Sequence, residues 1–312
     1  MAQLSVSRCA ALALLGAAVL ASAACGSTSS ATSASAGSAD TLASPAPAPA
    51  TGATASTPNP ATALATTAPT VTPPPVNGRF DYQIGGAYSP ASSVRIVDRD
   101  RTSTPVSGKY TICYVNSFQT QAAEASFWTG KHRNLLLKYK GKYLIDPDWP
   151  DEYLLDTSTA AKRQSIAAIE NGWIDGCRTK GFKAIEPDNL DSWTRSKKLL
   201  TKADNVALAV LLARHAHADG LAIAQKNTAE LGTAGKTTVG FDFAIAEECQ
   251  VYDECGSYTG PYGSHVIEIE YTDNPRSAYT TACAKQGKSI SVILRDRDVV
   301  ASGKSGYHYE NC

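Results

Sequence analysis

The chain has 312 residues, with 29 lysines and arginines against 29 aspartates and glutamates, 8 cysteines and only 5 histidines. That length suits one large domain or two small ones, and the even charge lacks the basic excess that draws proteins onto phosphate backbones, so nucleic-acid binding is set aside. The only long apolar run, Cys9 to Ala24, is shorter than the roughly 20 residues that span a bilayer, which excludes a multi-span membrane protein.

In chain order, residues 1–24 read as a secretory signal: Arg8 with the free amine, the apolar run Ala10 to Leu20, then small residues. Ser22-Ala23-Ala24-Cys25-Gly26 is similar to the bacterial lipobox, with Ser22 where Leu is preferred. Cys25 is therefore the expected lipidation site, and plain cleavage and release is the rival. Two acyl chains suffice for stable anchoring at a membrane. Residues 25–77 read as a linker. From Gly26 to Asn77 there is no aromatic residue, a single charge (Asp40) and nine of the 16 prolines, too little apolar surface to offset the entropy of ordering. The folded part is then 78–312. Its six cysteines, in an exported domain, predict disulfides, and no C-x-x-C or H-E-x-x-H pattern points to a metal site. Cys249 and Cys255 bracket a short polar loop and are the easiest to join; the other pairings stay open.

Nine short apolar runs follow: 80–86, 94–100, 110–116, 152–157, 182–189, 220–227, 241–248, 265–273 and 291–298. Between them lie helical patterns. Ile166, Ile169, Trp173 and Cys177 make a stripe stopped by Gly181, and a second helix is expected from about Asp204 to Ala218, with Leu208, Leu211, Leu212 and His215 on one face. Repeated strand and helix units over this length predict an α/β fold, a (β/α)8 TIM-like barrel preceded by the linker. With nine runs for eight places, one is either peripheral or an additional barrel strand. A doubly wound open sheet is the runner-up, disfavoured because no strand leads into a Gly-rich phosphate loop.

In such a barrel, chemistry sits at the carboxyl ends of the strands. Here those ends are acidic: Asp98, Asp100, Asp156, Glu186, Asp188, Asp191, Glu247, Glu248, Glu268, Glu270 and Asp273, with Gln225 and Asn227 as neutral partners. Lysines such as Lys197, Lys198, Lys202 and Lys226 are assigned to helices and loops, which leaves a mouth suited to a polycation. Two carboxylates are what glycoside cleavage needs, one protonated to donate to the leaving oxygen and one ionised. No G-x-S-x-G elbow competes. Tyr82, Tyr88, Tyr114, Trp128, Trp149, Trp193, Tyr252, Tyr258 and Tyr262, near the expected loops, are candidate platforms for sugar rings, with core or rim packing as the rival reading.

The segments 181–193 (GFKAIEPDNLDSW), 241–255 (FDFAIAEECQVYDEC), 80–86 (FDYQIGG) and 112–116 (ICYVN) resemble glycoside hydrolase family 114, the endo-α-1,4-polygalactosaminidases. The resemblance implies a TIM-barrel enzyme that cleaves α-1,4-linked, galactosamine-rich cationic exopolysaccharide with retention. No cofactor is implied, and the implied partners are the polysaccharide and, through the lipid, the outer face of the cell membrane, with the protein acting as a monomer. The family's Glu-Pro-Asp-Asn motif falls on Glu186-Pro187-Asp188-Asn189, and its acidic pair before a cysteine falls on Glu247-Glu248-Cys249. Asp188 is the expected nucleophile and Glu247 the expected acid/base, with Glu186 as runner-up for the acid because it shares a strand face with Asp188. Asp81, Gln83, Tyr114, Asn189, Asp191, Gln225 and Asn227 match positions that would line the sugar cleft. The family pattern has Asn before the second catalytic acid where this chain has Ala246, so a bond orienting that acid is expected to be missing. On that ground the alternative is a non-catalytic polysaccharide-binding lipoprotein.

Overall fold

The computed structural model describes residues 69–312; the signal at 1–24, Cys25 and most of the expected linker lie outside the described residues. Residues 69–77, assigned to the linker by composition, run against the barrel instead. Val71 packs on the interior cluster, the Tyr110 hydroxyl donates to the Thr72 carbonyl at 2.7 Å, and a His265 ring nitrogen lies 3.1 Å from the Pro74 carbonyl.

Eight parallel strands follow in spatial order as in sequence: β1 Phe80–Tyr82, β2 Ile96–Asp100, β3 Tyr110–Asn116, β4 Ala184–Asp188, β5 Ala222–Lys226, β6 Phe243–Glu247, β7 Val266–Tyr271 and β8 Ser291–Arg295. A ninth, β9 Tyr309–Asn311, pairs antiparallel with β8. It stands at the seam between β8 and β1, where the Tyr309 hydroxyl donates to the Phe80 carbonyl at 2.8 Å and Arg295 donates to the Tyr82 carbonyl. The barrel is TIM-like with an additional strand, but that strand was not among the nine runs. The run 152–157 makes only isolated bridges, Leu154 to Gln119, Tyr153 to Ile145 and Leu155 to Leu136. It belongs to an insertion, 117–159, that also holds α1 Ala125–Lys131 and a two-stranded ribbon at 138–143.

Strand alternation sorts the core into two shells. Tyr82, Ile96, Ile112, Ala184, Ala224, Ile245, Ile269 and Ile293 fill the interior. Cys113, Val115, Ile185, Ile223, Ala244, Ala246, Val292 and Leu294 face the helices. The outer layer is built from α2 Ala160–Lys180, α3 Lys202–Ala218, α4 Gly256–Tyr262 and α5 Ser277–Gln286, with a π turn at Gly235–Val239 between β5 and β6. Among the described residues no helix follows β1 or β2, so the alternation of strand and helix begins only at β3.

The long helices carry the stops expected of them. Thr159 caps α2 by accepting from the Lys162 amide, and Gly181 ends it at φ 99°, a conformation that favours glycine. Thr201 and Asp204 form a reciprocal capping box on α3. Ile166, Glu170, Ile174 and Cys177 make the buried face of α2, about one residue around from the expected stripe, so Ile169 and Trp173 are only partly buried. Among the described residues three disulfides are formed: Cys113–Cys177 ties β3 to α2, Cys249–Cys255 closes the loop after β6, and Cys283–Cys312 ties α5 to the last residue. No helix among the described residues is long and apolar enough to cross a membrane.

Candidate active site

Towards the ends of β3 to β7 the inward positions carry polar groups, Tyr114, Asp188, Lys226, Glu247 and Tyr271, above an interior that is apolar except for Asp98, Glu186 and Arg295. Each of the three central strands is followed at once by a left-handed residue, Asn189 at φ 63°, Asn227 at φ 46° and Glu248 at φ 60°. A left-handed residue other than glycine costs about 1–2 kcal/mol, and asparagine tolerates it best. The turn leaves the last inward side chain standing at the mouth.

Lys226 is the centre of this group. Its side chain is 1% exposed, and its ammonium lies 2.6 Å from Glu186, 3.4 Å from Asp188 Oδ1, 3.5 Å from Glu247 Oε2 and 3.0 Å from the Tyr82 hydroxyl. Sequence reasoning placed this lysine outside the mouth, yet Ala222, Ala224 and Lys226 alternate inward, and that period was the signal that could have found it. The mouth is therefore acidic around one buried cation. Burial lowers the pKa of that ammonium, but Asp188, Glu186 and Glu247 outweigh it and hold it well above its ordinary value.

For Asp188, burial pushes the carboxyl up. Lys226, the Tyr114 hydroxyl (2.8 Å to Oδ2) and the Asn189 amide (2.7 Å to Oδ1) oppose this and bring it below the usual carboxylate range. Glu186 lies beneath it, fully buried. Burial raises its pKa, and the Lys226 charge pulls the other way. Asp98, on β2, is raised well above the carboxylate range by burial and by the neighbouring Glu186. Both Asp98 oxygens and Glu186 Oε2 lack any other partner. A proton on Asp98, donated to Glu186 Oε2, accounts for two of these three atoms and leaves Glu186 Oε1 to hold Lys226.

Glu247 accepts from Asn227 Nδ2 at 2.8 Å and from the Tyr271 hydroxyl, and its Oε2 lies 3.5 Å from the Lys226 ammonium. The Glu247 amide donates back to Asn227 Oδ1 at 2.8 Å. Ala246 is fully buried on the opposite face of β6, among the residues that meet the helices. A side chain at 246 points away from Glu247, and the orienting bond comes from Asn227 and Tyr271.

Of the other expected site residues, Tyr114, Glu186, Asn189 and Asn227 gather with Asp188 and Glu247. Asn189 donates to Asn116 Oδ1 at 2.9 Å and accepts from Arg195 at 3.0 Å. Asp191 sits on the rim, paired with Arg195 at 2.9 Å. Three residues are not brought to the centre. Asp81 and Gln83 face away from the interior in a buried network with Tyr88, Arg99 and Arg295. Gln225 points outward, where it accepts from Tyr262 and donates to the Asn227 and Thr228 carbonyls, closing the turn after β5. Glu268 and Glu270 also lie on the outer face of β7; burial and the Glu270 charge push Glu268 up to about 8. Besides Lys226, the residues not foreseen are Tyr271, Asn116 and Glu152; Tyr82, expected as a sugar platform, is instead fully buried against Glu186 and Lys226.

Among the described residues, two clusters offer metal-ligating atoms close together. In one the sulfurs of Cys249 and Cys255 are bonded to each other. The other, Asp175, His215 and Asp219, sits on the outer helices, with His215 2.7 Å from Asp175.

The model of glycoside-hydrolase family GH114 matches residues 60–312. Among solved structures, Ega3 of Aspergillus fumigatus in complex with galactosamine aligns with a TM-score of 0.62 at 22% identity, covering 78% of this chain and 98% of that one. The glycoside hydrolase domain of PelA from Pseudomonas aeruginosa aligns with a TM-score of 0.52 at 14% identity, covering 73% and 97%. Among curated proteins, none matches the sequence significantly.

Proposed function

The chain belongs to glycoside-hydrolase family GH114, and from that premise we propose that it is a retaining endo-glycosidase that cleaves α-1,4-linked, galactosamine-rich polysaccharide with Asp188 and Glu247. The observation that carries the assignment is Lys226, whose ammonium touches both carboxylates. Sharing one ammonium keeps the two oxygens within about 7 Å of each other, a bound that accommodates the separation of about 5–5.5 Å used for retention.

In this mechanism Asp188, ionised by Lys226, Tyr114 and the Asn189 amide, attacks the anomeric carbon while Glu247 gives its proton to the departing glycosidic oxygen. The glycosidic C–O bond breaks and an ester to Asp188 forms. Water then loses a proton to Glu247 and attacks the same carbon, which frees Asp188 and restores the α configuration. Tyr271 and Asn227 fix the Glu247 carboxyl for both transfers.

The cationic substrate is supported by the acidic rim and by a relative solved with galactosamine. The proposal extends to export, with residues 1–24 as signal, Cys25 as lipid anchor, 25–68 as tether and an extracellular polysaccharide as target. The binding-only alternative rested on Ala246, and Asn227 removes that motive. Mass spectrometry of products from deacetylated α-1,4-galactosamine polymer tests the reading: short oligomers from wild type and none from Asp188→Asn are expected, and an undegraded polymer refutes it.

A further inference from the structure

The two flanks of the cleft differ in how their acids are neutralised. Beside Glu247, the rim acids Glu248 and Asp273 are both paired with Arg297, at 2.5 and 2.9 Å. Beside Asp188, Arg195 takes Asp146 at 2.6 Å and Asp191 at 2.9 Å. Glu152 lies on this second flank and has no ion pair among the described residues. Its Oε2 accepts only from two neutral amides, Asn116 Nδ2 at 2.9 Å and Gln119 Nε2 at 3.1 Å. Asn116 is the residue that ends β3 and lies in register with Asp188, so Glu152 is fastened beside the nucleophile. The turn that carries it is closed by its own amide, which donates to the carbonyl of the half-exposed Trp149 at 2.9 Å.

We propose that Glu152 is an ammonium subsite: its carboxylate receives the free 2-amino group of a galactosamine unit bound beside Asp188, and so sets the preference for deacetylated polymer. This rests on the glycosidase reading above. Burial first, then the charges of Asp188 and Asp146, push the Glu152 carboxyl up to about 7, against the two amide donors. A preorganised, partly desolvated carboxylate without a cation gains most when a cation arrives. A neutral N-acetyl group brings no charge and adds bulk where the ammonium would sit.

The test compares wild type with Glu152→Gln, in the full chain, on polymers of matched length that are either deacetylated or fully N-acetylated. The ratio of kcat/KM for free-amine over acetylated polymer is expected to fall about tenfold, mainly through KM, as for loss of one charge-assisted hydrogen bond. Glu152→Asp keeps the charge with a shorter reach and is expected to retain more of the ratio; it is read in the same way should the glutamine variant not fold. An unchanged ratio overturns the subsite and leaves the glycosidase standing. Should wild type cleave neither polymer, the glycosidase reading fails. Calorimetric titration with the two corresponding oligosaccharides then decides: weaker binding of the free amine alone by Glu152→Gln supports the subsite, and equal binding or none overturns it.

Discussion

Replacing Lys226 with methionine tests the electrostatic logic of the site most severely. Methionine fills much of the aliphatic stem's volume but removes an ammonium that is 1% exposed and contacts Glu186, Asp188 and Glu247 within 3.5 Å. Removing one partner of a buried ion pair costs about 3–5 kcal/mol, because the other charge is left without compensation. For a domain of this size, about 2–4 °C per kcal/mol gives a fall in melting temperature of about 6–20 °C. The loss depends on pH in a fixed direction. Asp188 has a folded pKa below its unfolded value, so its contribution to stability is present above the unfolded pKa, about 3.9, and is lost as pH falls through the folded one. Without Lys226, burial dominates and raises Asp188 and Glu186, so the variant is penalised most at neutral pH and least near pH 4. The acid limb of kcat/KM moves upward with Asp188. Melting curves and activity profiles from pH 4 to 8 measure both. A variant equally destabilised at every pH, with its acid limb in place, would show that Lys226 acts through packing rather than charge.

Other substitutions probe separate parts of the account. Asp188→Asn and Glu247→Gln each lower kcat by at least about 10²–10⁴-fold, the usual worth of such groups, while circular dichroism stays that of the wild type. Asp98→Asn preserves the donor to Glu186 and leaves melting temperature and pH profile close to wild type, whereas Asp98→Leu does not; equal effects of the two would remove the proposed proton from Asp98. Opening Cys113–Cys177, 64 residues apart, costs about 4 kcal/mol and opening Cys249–Cys255, 6 apart, about 2 kcal/mol on the chain-entropy scale; chemical denaturation of the two cysteine-to-alanine pairs gives the order.

Eight of the apolar runs became the eight parallel strands because β strands buried on both faces leave a continuous apolar trace. The run at 152–157 leaves the same trace for another reason. Leu154 is fully buried in a separate cluster with Leu137 and Leu144, and Leu155 in the layer between strands and helices, without either belonging to a barrel strand, and composition does not distinguish the two. Tyr309–Asn311 has no apolar pattern, since it is held by pairing to β8 and by the Tyr309 hydroxyl. The catalytic candidates were legible as strand-end acids; their partners required the inward period to be carried through each strand. Applied to β5 and β7 it finds Lys226 and Tyr271, and it removes Gln225, Glu268 and Glu270 from the cleft. Asn227 was read as a cleft residue, but its bond to Glu247 spans two strands and has no local signature. Glu152 reaches the site only through the fold of the insertion.

Proton NMR of the anomeric region during the first minutes of digestion of deacetylated α-1,4-galactosamine polymer by the full chain addresses the central claim directly. Two-step displacement through Asp188 predicts that new reducing ends appear first as the α anomer, with the β anomer growing only by mutarotation, and that Asp188→Asn produces neither. Reducing ends that appear first as the β anomer, or that form undiminished in the Asp188→Asn variant, would contradict the assignment of Asp188 and Glu247 as a retaining pair.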